Sequence, residues 1–101
     1  MPTTEEITPL LDEQRVKTVM ADWSRQCGRR LQARRKSMHC SQERLAALVG
    51  VTTPSISKFE LGQVVPRDAV RLAIACSLLC EVADIWTPMD RAFVTTMARA
   101  A

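Results

Sequence analysis

The stretch from Ser41 to Gly62 constrains the fold most, because its residues mark two short helices joined by a tight turn. Ser41 is a preferred N-cap residue, and Gly50 tolerates the positive φ that ends many helices. Thr52 is a second N-cap, and Gly62 closes a second helix expected over residues 53–61. Two helices of about two turns each, with a turn centred on Gly50, are typical of a helix-turn-helix unit.

Helix signals also precede this unit. Thr8-Pro9 combines an N-cap residue with proline at the first helical position, and it predicts a helix from about Pro9 to Ser37. Apolar residues recur there at intervals of three and four, at Val16, Met20, Trp23, Cys27 and Leu31. Gly28 weakens the helix interior by about 1 kcal/mol relative to alanine. The segment is one helix or two, and we expect a break or bend around residues 21–24.

The part of the chain after Gly62 is also predicted to be helical. Pro66 opens a fourth helix that is apolar on all sides and is expected to be the central core element. Its apolar residues are Val70, Leu72, Ala73, Ala75, Cys76, Leu78 and Leu79. A short helix is expected around residues 82–86, and Thr87-Pro88 begin a last one with an apolar face of Phe93, Val94, Met97 and Ala98. Since no segment alternates with a period of two, the fold class is all-α.

Positive charge is concentrated in residues 25–36, which hold six bases and no acid, although the net charge of the chain is only +3. Residues 1–22 hold five acids and two bases instead. On a helical projection Arg25, Arg29 and Lys36 lie on the side expected to face solvent. Such a block is either a solvated helix face or an electrostatic footprint for phosphate.

Several classes of function are disfavoured. Cys27, Cys40, Cys76 and Cys80 form no C-x-x-C pair and His39 is the single histidine, so we expect small buried hydrophobic cysteines in a reducing compartment and no metal site. The chain has no zinc-protease, nucleophile-elbow or glycine-rich phosphate motif, so neither catalysis nor a cofactor is expected. It also has no apolar run of about 20 residues and no secretory signal, so the expected location is the cytoplasm.

The stretch from Gly28 to about Trp86 resembles the Cro/phage-repressor helix-turn-helix family, also called the xenobiotic-response-element type. The matching residues are Gly28-Arg-Arg-Leu31, Arg35, Ser41-Gln42-Glu43-Arg44-Leu45-Ala46, Gly50-Val51-Thr52, Ile56-Ser57-Lys58, Glu60-x-Gly62 and Pro66. The resemblance implies a compact five-helix domain, here with additional N-terminal and C-terminal helices, whose third helix docks in the major groove of DNA. Many members of the family are homodimeric transcriptional regulators.

The third helix has a face suited to reading bases. On a helical projection Thr53, Pro54, Ser57 and Lys58 form one contiguous polar face. The resemblance places Thr53, Pro54 and Lys58 at base-reading positions. Lys58 can donate to guanine O6 and N7, and the Thr53 methyl group or the Pro54 ring can pack on a thymine methyl group. The alternative is a solvent-exposed polar face without a role.

Other residues are candidates for binding the DNA backbone. The resemblance places Gln42 where family members bind a phosphate and brace the recognition helix. Helix N-termini favour anions in any case. The further phosphate candidates, which would position the protein rather than specify a sequence, are Ser55, Gln63, Arg67 and Arg29.

One structural ion pair is expected. Arg34 and Arg35 project into or beside the apolar stripe of the first helix, so one of them should be partly buried and need a carboxylate. The resemblance implies that Arg35 pairs with Glu60. Arg34 stands where the family has an apolar residue, so its stem packs along the core or its charge competes for Glu60. Met38-His39-Cys40 replaces a glycine-containing turn, and His39 is expected to be a turn residue.

The domain boundaries and the function are predicted together. Residues 1–22 form an acidic, partly helical N-terminal extension, residues 23–86 the helix-turn-helix domain, and residues 87–101 a C-terminal helix that is a candidate dimerisation element. The N-terminal apolar stripe of Leu11, Val16 and Met20 and the C-terminal helix are alternatives here, since either one packs on the core or forms the contact between two copies. We expect a homodimeric transcriptional repressor from a bacterium, phage or mobile element. It would bind a palindromic double-stranded DNA operator at the nucleoid and occlude RNA polymerase.

Two alternatives stay open. The chain could be an antitoxin that represses its own operon and neutralises a toxin through its N- or C-terminal extension. It could also be a domain whose DNA-binding face has been turned to protein contacts. Neither alternative involves a membrane.

Overall fold

The computed structural model describes residues 12–90 together with Phe93 and Thr95. The expected helix start at Thr8-Pro9 lies outside these residues, as do Val94, Met97 and Ala98 of the expected last helix. No strand occurs in the described part of the chain, and the all-α fold class is confirmed. Its five helices are α1 (Glu13–Ser37), α2 (Gln42–Val49), α3 (Thr53–Glu60), α4 (Asp68–Ser77) and α5 (Val82–Ile85).

Helix α1 is a single unbroken helix, so the expected break at residues 21–24 is wrong. Asp12 caps it by accepting a 2.8 Å hydrogen bond from the backbone N–H of Arg15. The segment in question contains neither glycine nor proline, and both Trp23 and Ser24 are buried by tertiary contacts. Tertiary packing supplies most of the stability of a helix in a protein, so the burial of Trp23 and Ser24 keeps α1 continuous through this segment.

The apolar stripe of α1 also differs from the expectation in its first turns. Val19 is buried, whereas Val16 and Met20 are 37% and 53% exposed. The buried side therefore continues from Val19 through Trp23, Cys27 and Leu31, at a regular interval of four residues. The intervals of three and four in the sequence are compatible with two neighbouring faces of the helix. Only the face that contains Val19 packs against the core, and the face with Val16 and Met20 does not.

The helix ends of the central unit have the predicted caps. The Ser41 hydroxyl accepts from the N–H of Arg44 at 3.0 Å, and the Thr52 hydroxyl accepts from the N–H of Ser55 at 3.2 Å. Gly50 ends α2 with a φ of 81°, a left-handed value that glycine adopts without steric cost. The helix-turn-helix unit is therefore built by local signals that are visible in the sequence.

One core joins all five helices. Trp23 belongs to this core, and its indole N–H donates a hydrogen bond of 2.9 Å to the carbonyl of Thr87. This bond links α1 to the segment after α5. The half-buried Phe93 packs against the same core. The buried core residues are Trp23, Cys27, Leu31, Cys40, Leu45, Ala46, Ile56, Ile74, Leu78, Ile85 and Trp86.

The backbone of α1 packs directly against the end of α3. A Cβ atom on Gly28 would overlap the carbonyl group of Glu60, and one on Gly62 would lie 2.7 Å from the Cα of Arg25. Ser24 adds a hydrogen bond of 2.9 Å from its hydroxyl to the carbonyl of Gly62. Small residues at this crossing let the two backbones meet, and this contact sets the orientation of α3.

Helix α4 differs from the prediction in both its start and its burial. It begins at Asp68, with Arg67 as the N-cap, and not at Pro66. Ile74 and Ala75 face the core, but Leu72 is 57% exposed. The expectation of a helix surrounded by core is therefore wrong, because α4 packs mainly against α2 and α5 and its other side is left exposed.

The cysteines are only partly as expected. Cys27 and Cys40 are buried and Cys80 is half-buried, but Cys76 is exposed on the outer side of α4. Among the residues described, no group of three or more histidine, cysteine, aspartate or glutamate side chains could hold a metal ion. A search of these residues also finds no helix with the length and apolar character needed to cross a membrane.

Candidate nucleic-acid interface

The predicted reading face lies on the outer side of α3. Ile56 is fully buried on the inner side, where it anchors the helix in the core. On the opposite side Pro54 and Lys58 are exposed, and Thr53 and Ser57 are half-buried. These four side chains, predicted to read bases, are therefore together on one accessible face.

The N-terminal turn of α3 has a proline and an ordered pair of hydroxyl groups. Thr53 and Pro54 occupy its first two positions, so the missing N–H of proline removes no helical hydrogen bond. The hydroxyl groups of Thr52 and Ser55 lie 2.8 Å apart and share a hydrogen bond. Ser55 is half-buried, and a phosphate would bind a hydroxyl group that is already oriented.

A buried polar network holds the other end of α3. Arg35 donates to Glu60 from Nε at 2.6 Å and from Nη2 at 3.0 Å, and the two side chains are only 9% and 2% exposed. Arg35 also donates from Nη1 to the carbonyl of Cys40 at 2.9 Å. The hydrogen bonds that Arg35 donates to the Glu60 carboxylate raise the pKa of Arg35 above its ordinary value. The pair links α1 to α3.

Gln42 joins this network from the first residue of α2. Its Nε2 atom donates to Oε1 of Glu60 at 3.1 Å. An amide nitrogen has two N–H groups, so one of them is still available to an incoming phosphate. The side chain is half-buried, and it therefore connects the network to the protein surface.

The remaining phosphate candidates lie around the C-terminal end of α3. Gln63 and Arg67 are exposed in the segment between α3 and α4. Arg29 is exposed on α1 and lines a surface groove of about 260 Å³ together with Arg25, Gln32, Glu60 and Leu61. The structure thus separates these residues from Thr53 and Pro54, which lie at the N-terminal end.

Arg34 has a position that the sequence did not reveal. It donates from Nε to the carbonyl of Leu78 and from Nη2 to the carbonyl of Leu79, both at 2.9 Å. It therefore binds the C-terminal end of α4 and does not compete for Glu60. A cation is favourable at the carbonyl end of a helix. The sequence indicated only that Arg34 projects into the apolar stripe of the first helix, and it did not indicate which group Arg34 binds.

The turn after α1 contains an unusual backbone conformation. His39 has a φ of 53° in this turn and is exposed. Histidine is one of the few residues other than glycine that are enriched in the left-handed region. His39 thus takes the place of a turn glycine, and its side chain lies at the surface.

Comparison with known proteins agrees with this architecture. A family model described as helix-turn-helix matches residues 31–85, more than half of the chain. The match begins in the last turns of α1 and ends with α5. No individual curated protein and no solved structure gives a significant match. The resemblance inferred from the motifs is confirmed, and the chain belongs to the Cro/repressor-type helix-turn-helix family of DNA-binding transcription regulators.

Proposed function

We propose that the protein is a homodimeric repressor that binds a palindromic operator with α3 in the major groove. The observation that supports this most is the accessible polar face of α3, held in place by a buried network at its other end. A groove about 12 Å wide admits one helix, and a helix of this size presents few side chains to it. Binding at a promoter would occlude RNA polymerase in the cytoplasm, at the nucleoid.

The side chains of the reading face would contact different groups on the base edges, according to their chemistry. Lys58 donates to guanine O6 and N7, and Thr53 and Pro54 provide apolar contacts for a thymine methyl group. Ser57 lies between them and can donate to or accept from a base edge. Lys58 makes no ion pair with any residue that the structure describes, so its ammonium group is free for this contact.

The phosphate candidates fix the register of α3 on the duplex. Gln42 and Ser55 would bind phosphates from the first turns of α2 and α3. Gln63, Arg67 and Arg29 would bind them beside the other end of α3. Contacts of this kind contribute affinity without sequence information, since every phosphate is alike.

The length of α3 supports a homodimer. Eight residues make a helix of about 12 Å, which spans only about four base pairs. One copy therefore reads too short a sequence to specify an operator. Two copies related by a two-fold axis would place their recognition helices about 34 Å apart, one turn of the duplex.

The test is binding to duplex DNA that has been selected from a random pool, followed by a salt series. The salt dependence reports the cationic contacts, which are Arg29 and Arg67 in each copy, so about four phosphates are neutralised per dimer and the slope of log affinity against log salt should be about −4. A slope near zero would contradict the phosphate contacts, and a failure to select any duplex would favour a domain that contacts only proteins. Lys17→Ala is the control, because Lys17 is an exposed lysine on α1 outside all proposed contacts.

One observation supports the antitoxin alternative. Val16 and Met20 are exposed one turn apart on the part of α1 that precedes the family match. Such a pair could contact a toxin while α3 binds the operon. Co-purification of the full chain with the product of an adjacent small gene would favour this function. Loss of that complex in Met20→Glu would place the contact on α1.

A further inference from the structure

The structure divides the six basic residues of segment 25–36 into two sets of three. One set donates hydrogen bonds to groups inside the protein, and its members are Arg30, Arg34 and Arg35. The other set is exposed, and its members are Arg25, Arg29 and Lys36. Arg29 and Lys36 form no ion pair with any residue that the structure describes, so their charges are available to a partner.

The exposed set lies along one side of α1. Together with the exposed Gln32 it forms what we call the basic row, which consists of Arg25, Arg29, Gln32 and Lys36. Intervals of four, three and four residues keep the row within about 60° of the helix surface. The row is about 17 Å long, a length over which one strand of B-DNA carries about five phosphates.

The basic row begins where the reading face of α3 ends. Leu61 follows α3 in helical register, since its N–H donates to the carbonyl of Ser57 at 3.0 Å. Because it lies four residues after Ser57 and three after Lys58, its exposed side chain continues the reading face. Leu61 also lines the groove of about 260 Å³, whose other wall includes Arg25 and Arg29.

Close packing fixes the row in this position. A Cβ atom on Gly28 would overlap the carbonyl group of Glu60, and one on Gly62 would lie 2.7 Å from the Cα of Arg25. The two backbones therefore approach each other as closely as glycine permits. A duplex that receives α3 in its groove lies beside the basic row as well, and next to Gln63 in the segment that follows.

We propose that the basic row is a second DNA-binding surface, which holds the phosphodiester backbone beside the groove that receives α3. The inference rests on the proposed function, in which Arg29 is the one phosphate contact of α1, and it adds Arg25, Gln32 and Lys36. Charge complementarity favours an anionic partner, since residues 25–36 contain no acid. Continuity with the reading face favours the duplex over an acidic protein, because the same partner then covers both surfaces.

Asp22 competes with the duplex for one member of the row. In the free protein Arg25 forms an ion pair with Asp22, one turn earlier on α1, and both side chains are partly exposed. A phosphate that binds Arg25 takes the place of this carboxylate. The ion pair therefore opposes DNA binding, and its removal should strengthen the complex.

Asp22→Asn is the sharpest test, because misfolding cannot produce a gain in affinity. We expect tighter binding by about two- to fivefold, which corresponds to the strength of an exposed ion pair. The gain should be the same on the selected duplex and on an unrelated one, since phosphates carry no sequence information. Glu13→Gln is the matched control, because it changes the net charge equally and releases Lys17, which lies outside the row. A gain no larger than that of the control would overturn the proposal.

The salt dependence measures how many cations the row contributes. Arg25 and Lys36 add four neutralised phosphates to the four already counted for two copies, so the slope should steepen from about −4 to about −7. The double variant Arg25→Gln with Lys36→Gln should return the slope to about −4. Arg15→Gln with Lys17→Gln removes two exposed cations of α1 outside the row and should leave the slope unchanged. Equal slopes for the double variant and the unchanged chain would overturn the proposal.

Comparison with Lys58→Ala separates the two proposals. If Lys58→Ala alters the base preference while the variants of Asp22 and of the row behave like their controls, this inference fails and the proposed function stands. If those variants act as expected and Lys58→Ala changes nothing, the row binds the backbone and the proposed base reading fails. If the unchanged chain selects no duplex, both proposals fail.

Discussion

Glu60 accepts hydrogen bonds from Arg35 through both of its carboxylate oxygens, and this buried pair fastens the end of the proposed recognition helix to α1. Gln42 adds a third hydrogen bond to the same carboxylate. The residues that anchor α3 thus lie on its inner side, and those proposed to read DNA lie on its outer side. This division allows reading residues to vary without loss of the fold.

Removal of one member of the pair should be strongly destabilising. Arg35→Met leaves the Glu60 carboxylate buried without its cation, and we expect the free energy of unfolding in urea to fall by about 3–5 kcal/mol. The double variant Arg35→Met with Glu60→Leu should recover much of this loss, because no charge is then buried alone. A loss below about 1 kcal/mol in the single variant would contradict a buried pair.

Gly28→Ala should destabilise the protein although alanine is the better helix former. Its methyl group would overlap the carbonyl of Glu60, and we expect a loss of about 1–3 kcal/mol from overpacking. Ala33→Gly is the matched control at an exposed position of the same helix, where only the helix propensity of about 1 kcal/mol is lost. Thermal and urea unfolding measure both. A gain in stability for Gly28→Ala would mean that α1 and α3 are not in close contact.

The cysteines should differ in reactivity. Burial raises the pKa of the Cys27 thiol, so less of the reactive thiolate is present at any given pH. Cys76 is exposed and should react first with a thiol reagent at pH 8, at a protein concentration low enough to prevent association. Cys27 should react only when the chain unfolds. Peptide mapping by mass spectrometry after quenching measures the order, and equal rates in the folded chain would be inconsistent with this core.

Lys58→Ala and Arg29→Ala should affect DNA binding differently. The first removes a base contact and should relax sequence preference by about 1–3 kcal/mol at one base pair. The second removes a phosphate contact and should weaken binding to all sequences alike, with a salt slope reduced by about one for each lost contact. Affinity measured on the selected duplex and on its single-base variants distinguishes them. Unchanged affinity in Arg29→Ala would mean that Arg29 is a solvent-exposed residue of α1 without a phosphate contact.

Local signals explain why the helix-turn-helix unit could be predicted. The caps Ser41 and Thr52 and the left-handed Gly50 each act within a few residues, so their effect is visible in the sequence alone. The outer face of α3 followed from the same helical spacing. The roles of its residues in binding DNA stay predictions.

Contacts between distant segments account for what the sequence did not reveal. Arg34 binds carbonyls more than forty residues away, at Leu78 and Leu79. Helix propensity alone makes Gly28 unfavourable inside α1, whereas its close contact with the carbonyl of Glu60 explains its presence. Leu72 and Cys76 were expected in the core because apolar composition does not tell which side of a helix its neighbours cover. These expectations failed because tertiary packing, and not local preference, decides the outcome at these residues, whereas the Arg35–Glu60 contact could be expected from the family resemblance.

The most direct test of the central proposal is protection of guanine N7 from methylation on the selected duplex, since N7 is accessible only in the major groove. We expect protected guanines in two patches about 34 Å apart, with one base pair per patch losing protection in Lys58→Ala and none in Lys17→Ala. Binding that leaves every guanine N7 open to methylation, or protection that Lys58→Ala does not alter, would contradict the placement of α3 in the major groove.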